Sequence, residues 1–411
     1  MSSLYLSLLQ LLRSGESVAV VTVVGTHGST PREVGAKMVV RTSGTILGTI
    51  GGGLGEVQVC RTALSVIETG LPALELVDLS EESGSHAAVA VTDDEARGPD
   101  SGESRDQRVW PNPKATSTDH AGICGGAMEV LVERWRPAGA AAVGDDLLLV
   151  ETIHERYARR EPVVLATVVA SPRPSWRTGQ HVLLGRKGVV LGGLGFQALD
   201  ETLLAAAIGT LENEVPRALT LHLPPDDLAG EHVETLRLHL EVIKPPPRLV
   251  ILGAGHIAIP LSRLAKLLEF EVTVLDDRPA FATADRFPES DVVLVAEFRE
   301  GIRRLAVDRD TYVVVITHGH EHDAECLREV VETDCAYLGM IGSRRKVRAV
   351  FELLGRQGVA AEKLARVHAP IGIDIGAQTP AEIAVAIAAE IVKVRRGGRA
   401  ASMSEGEKQI G

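Results

Sequence analysis

The sequence predicts an α/β protein in two parts. The first is a β-rich, internally repeated N-terminal α/β domain, and the second is a doubly wound parallel sheet. Three observations predict this. Residues 17–56 are echoed at 162–196, a proline run interrupts the chain in "IKPPPRLVIL" (243–252), and beyond it apolar strands alternate with helical stretches. With 411 residues the chain is long enough for two or three domains, each with its own core.

Hydrophobic content of 45% and charged content of 24% are those of a soluble globular protein. A net charge of −12 argues against non-specific nucleic-acid binding, which needs a basic face. No apolar run reaches the roughly 18–20 residues of a membrane span. The opening "MSSLYLSLLQLLRSGES" lacks the basic region and cleavage site of a signal peptide. It reads as a short amphipathic helix, with Leu4, Leu6, Leu8, Leu9, Leu11 and Leu12 available for packing. The four cysteines form no CxxC pair, which fits neither a disulfide framework nor a zinc finger. Cys60 reads as a core residue, Cys326 and Cys335 read as helix and loop residues of the second domain, and a reducing cytoplasm is the expected location.

The repeat comes first in chain order. "SVAVVTVVGTHGSTPREVGAKMVVRTSGTILGTIGGGLGE" (17–56) reads as a strand, a Ser/Pro/Arg turn, two more strands and a glycine loop. "PVVLATVVASPRPSWRTGQHVLLGRKGVVLGGLGF" (162–196) follows the same order, without counterparts for Gly28, Gly51 and Glu56. The loop at 48–56 has no Lys-Ser/Thr after it, and Glu56 would repel a phosphate, so it is the weaker of the chain's two glycine loops. Within 80–119, eight acidic residues between Glu81 and Asp106 face two arginines amid Ser, Gly and Pro, so a disordered insertion is expected there. These readings give a domain at 1–240, a proline hinge at 241–247, a second domain at 248–397 and a tail at 398–411.

After the hinge, "RLVIL", "EVTVL", "DVVLV" and "TYVVVIT" alternate with helical stretches such as "HIAIPLSRLAKLLE". "GAGHIA" (253–258) follows the first strand and matches G-x-G-x-x-A, the mark of a Rossmann-like domain. Gly253 permits the tight turn, Gly255 lets a phosphate approach the backbone, and Ala258 lets helix and strand pack closely. His256 occupies the variable position. Asp276 and Asp277, about twenty residues on, would meet ribose hydroxyls. From these residues alone an NAD(P)-dependent oxidoreductase is the default, although no hydride-transfer pair follows, and it stays open as the alternative.

"VVVITHGHEHDAE" (313–325) sets His318, His320, His322 and Asp323 after a buried strand. The spacing is that of a dinuclear metal motif with its last two ligands reversed. In a parallel α/β sheet the better reading is that His318 lines a ligand pocket, with His320 and His322 as solvated loop residues. In "YLGMIGSRRKV" (337–347), the Gly342-Ser343 turn offers amides to a phosphate, with Arg344, Arg345 or Lys346 nearby; a solvated basic turn is the other reading. "HAPIGIDIGAQTPAEIAVAIAAEIV" (368–392) reads as a turn and then a helix opened by Thr379, Pro380 and Glu382.

Taken together, "GSTPREVGAKMVV", "GTIGGGLGE", "CGGAMEVLVE", "LVILGAGHIA", "LDDRP", "THGHEHD", "YLGMIGSRRK" and the 368–392 segment resemble the XdhC/CoxI family of molybdenum hydroxylase accessory proteins. The resemblance covers most of the chain, leaving out the acidic insertion and the tail. It implies an accessory protein rather than a metabolic enzyme. Such a protein binds molybdenum cofactor, as molybdopterin or its cytosine dinucleotide, and assists its sulfuration and insertion into a xanthine dehydrogenase- or CO dehydrogenase-type apoenzyme. That apoenzyme is the implied partner, with a cysteine desulfurase as a second candidate; NAD(P) binding and a homodimer stay open. The expected cofactor contacts are Gly253, Gly255, His256, Ala258, Asp276, Asp277, His318, Gly342, Ser343 and Arg344. Cys124 in "GICGGAMEV" is the expected metal ligand or sulfur relay, left accessible by the two glycines after it. The cofactor is expected between the two domains, with its metal end toward Cys124.

Overall fold

The computed structural model describes residues 2–79, 107–109, 126–137, 146–223 and 234–402. Of the acidic stretch expected to be disordered, only residues 107–109 are described, and they form a strand. The rest of that stretch, Cys124 and the end of the tail lie outside the described residues. The chain divides into two compact units, residues 1–245 and 246–411.

In the first unit each repeat is a helix, three strands, a second helix and a strand pair, and the first repeat adds a short strand, β5, between the members of that pair. The first repeat runs α1 (Ser2–Arg13), β1 (Val18–His27), β2 (Lys37–Arg41), β3 (Thr45–Gly48), α2 (Gly53–Thr69), β4 (Ala73–Asp78), β5 (Gln107–Val109) and β6 (Ala127–Trp135). The second runs α3 (Asp146–Ala158), β7 (Val163–Ala170), β8 (His181–Gly185), β9 (Gly188–Gly192), α4 (Gln197–Asn213), β10 (Arg217–His222) and β11 (Thr235–Ile243). The sheet orders are β4-β6-β1-β2-β3-β5 and β10-β11-β7-β8-β9, so the repeat extends well beyond the echoed stretches. β11 ends at Ile243, so residues 241–243 of the expected hinge belong to a strand and the proline run carries the division.

Both faces of the central strands β1 and β7 are buried, which is why they read as unbroken apolar runs. Successive side chains alternate between two cores. Ala19, Val21 and Val23 pack under α2, whereas Val18 and Val20 enter a core shared with Val163, Leu165, α1 and α3. In the second repeat Val164, Ala166 and Val168 pack with Leu199, Leu203 and Leu211 of α4. Leu8, Leu9 and Leu12 of α1 are buried as its amphipathic pattern requires, and Leu6 faces outward.

The glycine loops align differently from the sequence echo. Gly48 and Gly192 share φ near +80°, and a Cβ on either would strike a carbonyl oxygen of the neighbouring strand, at 2.7 and 2.6 Å. From that register Gly51 corresponds to Gly195 and Glu56 to Asp200. The Ile50 amide donates to Glu56 Oε1 at 2.9 Å, and the Leu194 amide donates to Asp200 Oδ1 at 2.8 Å. The copy has therefore kept the loop carboxylate and the glycine at 51, contrary to the linear reading. Each acid sits in the first turn of its helix, where it ties the loop amide to a favourable dipole.

The second unit holds β12 (Arg248–Leu252), α5 (Ala258–Leu267), β13 (Glu271–Asp276), β14 (Val292–Val295), α6 (Phe298–Arg304), β15 (Thr311–Val315), α7 (His320–Val330), β16 (Tyr337–Met340), α8 (Arg344–Arg356), α9 (Ala361–Leu364) and α10 (Pro380–Arg396). The sheet order is β14-β13-β12-β15-β16 and every pair is parallel. This is the Rossmann order, with its reversal between β12 and β15. Helices cover both faces: Val250 and Leu252 face α6, α7 and α8, while Leu249 and Ile251 face α5 and α10. Thr379 and Glu382 close a reciprocal capping box at the start of α10, with Pro380 in its first turn, as the sequence predicts.

Candidate functional site in the second unit

All five strands of the second unit end on the same edge of the sheet, so the loops after β12, β13, β15 and β16 meet there. In an open α/β sheet this edge, at the reversal of strand order, is where ligands bind. Gly253 has φ +113° and its Cα lies against the loop after β15, where a Cβ would stand 2.4 Å from the Ile316 carbonyl oxygen. Only glycine fits. Gly255 is different, because a Cβ there meets nothing within 4 Å, so the backbone faces open space from which a phosphate can approach. Ala258 is fully buried at the start of α5, and His256 is exposed on the turn between.

The two acids after β13 have separate roles. Asp276 is fully buried. Its Oδ2 accepts from the Ala254 amide at 2.6 Å and from Arg278 at 2.9 Å, and its Oδ1 accepts from the Arg278 amide and guanidinium. These donors outweigh the desolvation that opposes them and hold its carboxyl at about 2. Asp276 thus braces the glycine loop and has no side-chain surface for ribose hydroxyls, which corrects that expectation. Asp277, the next residue, is partly exposed.

Asp277 Oδ1 lies 3.2 Å from His318 Nε2, and the His318 and His322 rings are 4.7 Å apart. One ligand atom from each of the three falls within 4.8 Å of the others. Two imidazoles and a carboxylate form a set suited to a divalent transition metal with coordination positions to spare. His318 thus stands just beyond the C-terminal end of β15, beside Asp277 and His322. His322 is not a loop residue but stands in the first turn of α7, as does Asp323. Asp323 is fully buried, accepts from Thr317 Oγ1 at 2.6 Å and pairs with Lys346.

After β16, Ser343 caps α8, its hydroxyl accepting from the Lys346 amide at 3.2 Å. Lys346 turns back to Asp323, so of the three basic residues there Arg344 and Arg345 remain exposed. Gly342 precedes the cap. Cys124 lies outside the described residues. Gly126, two residues further along the sequence, is required by a close approach, since a Cβ would stand 2.4 Å from the Ser29 carbonyl oxygen and 2.5 Å from that of His27. The other three cysteines are buried, and burial raises their thiols, Cys60 to about 12, as suits structural residues.

Comparison with known proteins agrees with this architecture. The XdhC Rossmann domain family matches residues 249–391, and the XdhC and CoxI family matches 11–78 and 157–223, one stretch in each repeat. An uncharacterized Escherichia coli protein, YqeB, is 31% identical over 57% of this chain and 44% of its own length. A probable xanthine dehydrogenase subunit of Bacillus subtilis is 32% identical over 43% of this chain and 50% of its own. The chain thus spans half or less of these two relatives. The Escherichia coli molybdenum cofactor insertion chaperone PaoD is 22% identical over 94% of this chain and 86% of its own length. The crystal structure of a xanthine dehydrogenase from Bacillus halodurans shares the fold, with a TM-score of 0.66 at 21% identity over 97% of this chain and 98% of its own. With its repeated N-terminal unit and its Rossmann unit each matched, the chain belongs to the XdhC and CoxI family.

Proposed function

We propose that this protein binds molybdenum cofactor and delivers it to a molybdenum hydroxylase apoenzyme of the xanthine dehydrogenase or CO dehydrogenase type. The observation that carries the reading is the open backbone at Gly255, set at the switch point and braced by Asp276. It is a cradle for a phosphate-bearing ligand, and the insertion-chaperone relative names the cargo. Asp277, His318 and the Gly342-Ser343 turn border the same edge, where a cytosine dinucleotide form would find contacts for its ribose and second phosphate. Cys124 is the residue for the metal or for sulfur transfer from a desulfurase. An NAD(P)-dependent oxidoreductase would use the same loop.

Native mass spectrometry of protein from a cofactor-producing host tests this. The expected result is a bound molybdenum–pterin mass with matching molybdenum content, reduced about tenfold or more in Gly255→Glu, which sets a charge against the phosphate. Retention of NAD(P) alone, or of nothing, would contradict it.

A further inference from the structure

The repeat of the N-terminal unit places a second chemical centre between its two sheets. Thr22 on β1 pairs across to Lys37 on β2, and Thr167 on β7 pairs in the same register to His181 on β8. Glu133 on β6 lies opposite Val20, and Glu241 on β11 lies opposite Leu165, the equivalent position. Each basic residue reaches the glutamate of the other repeat. Lys37 Nζ is 3.2 Å from Glu241 Oε2, and His181 Nε2 is 3.4 Å from Glu133 Oε2. Each also meets the threonine of its own strand pair, at 2.7 and 3.1 Å.

The two halves have diverged. Glu241 accepts from the Tyr5 hydroxyl at 2.8 Å and faces a lysine, with both side chains of that ion pair almost fully buried. On α3 the place of Tyr5 is taken by the apolar Val150, and lysine is replaced by histidine. Glu133 Oε2 receives no hydrogen bond, although its side chain is only 4% exposed; Glu241 Oε1 is likewise unpartnered, and what sets Glu133 apart is that it lines a cavity. Desolvation pushes Glu133 up to about 7 and His181 down to about 4, so the imidazole beside the carboxylate is uncharged at neutral pH. Gly179, at φ +81°, keeps the space over Glu133 open, since a Cβ would stand 3.1 Å from Oε2. That space belongs to a cavity of about 860 Å³, also lined by Arg136, Asp146, Arg177, Gln180 and His181.

A buried carboxylate oxygen left without a donor costs free energy unless a ligand supplies one. A carboxylate's paired oxygens match the parallel N–H groups of an amidine-like edge, and guanidinium groups match an anion. We propose that this cavity binds the aminopyrimidinone ring of a pterin, its N–H edge on Glu133 and its anionic substituent toward Arg136 and Arg177. This assignment rests on the cofactor reading above.

The test uses 6-carboxypterin, an aminopyrimidinone carrying a carboxylate, titrated by fluorescence into full-length cofactor-free protein at pH 7.5. The expected result is saturable binding that weakens about tenfold in Glu133→Gln and a fewfold in Arg177→Ala. Glu241→Gln, the equivalent carboxylate in the closed half, should change affinity less than about twofold. Melting curves of each variant separate lost binding from lost folding. Absence of saturable binding to the wild type, or equal losses in Glu133→Gln and Glu241→Gln, would overturn the assignment. Protein that retains cofactor on purification yet ignores 6-carboxypterin overturns the pocket while the cofactor reading stands. Protein that binds 6-carboxypterin but retains no cofactor supports the pocket and sinks that reading.

Discussion

Glu133 and His181 make the N-terminal unit's stability depend on pH in opposite senses. His181, and His239 with its folded value of about 3, are neutral in the folded state and take up protons on unfolding, so their stability is present above about 6.5 and lost as pH falls toward 4. Glu133 has its folded value raised to about 7, so its buried carboxyl is tolerated at low pH and destabilises as pH rises from about 4.5 through 7. Glu133→Gln removes that charge and should stabilise the unit at pH 8 by roughly 3 kcal/mol at most, with little effect at pH 5. Urea unfolding at the two pH values measures this, and equal effects at both would contradict it. None of these residues stands out in the sequence. Glu133 and His181 sit in apolar strand runs nearly fifty residues apart and look like ordinary outward-facing alternates; only the packing of sheet on sheet brings them together. Asp276 and Asp277 pose the same difficulty on a smaller scale. Neighbours on a strand end point in opposite directions, so which acid braces the loop and which meets a ligand depends on the fold.

At the scale of the element, the two glycine loops of the first unit are joints between strand and helix. Glu56 and Asp200 each hold a loop amide from the first turn of the following helix. Glu56→Ala and Asp200→Ala should each cost about 1–3 kcal/mol, because each leaves a backbone donor without its partner. Thermal melts of the two variants check this, and a cost confined to one would break the equivalence. In the linear sequence the two "GGLG" strings match, whereas positive φ and the amide contacts align Gly48 with Gly192 a few residues before those helices. The second unit is far more legible. Its central parallel strands are buried on both faces and read as apolar runs, and its glycine turn, small Ala258 and capping box are local features that need no distant partner to be recognised.

The whole chain combines a duplicated two-sheet unit with a Rossmann unit, and we propose one ligand-binding centre in each. Among the described residues no helix is long and apolar enough to cross a membrane. The duplication is legible through its first three strands, and its helices and outer strands are not, because their sequences have diverged while their order has held. The central claim is that this molecule carries molybdenum cofactor to an apoenzyme. Its most direct test is reconstitution of a cofactor-free molybdenum hydroxylase with cofactor presented either free or bound to this protein. The predicted result is faster and more complete recovery of hydroxylase activity from the bound form, and less in Gly255→Glu. Recovery that is no better than with free cofactor would contradict it.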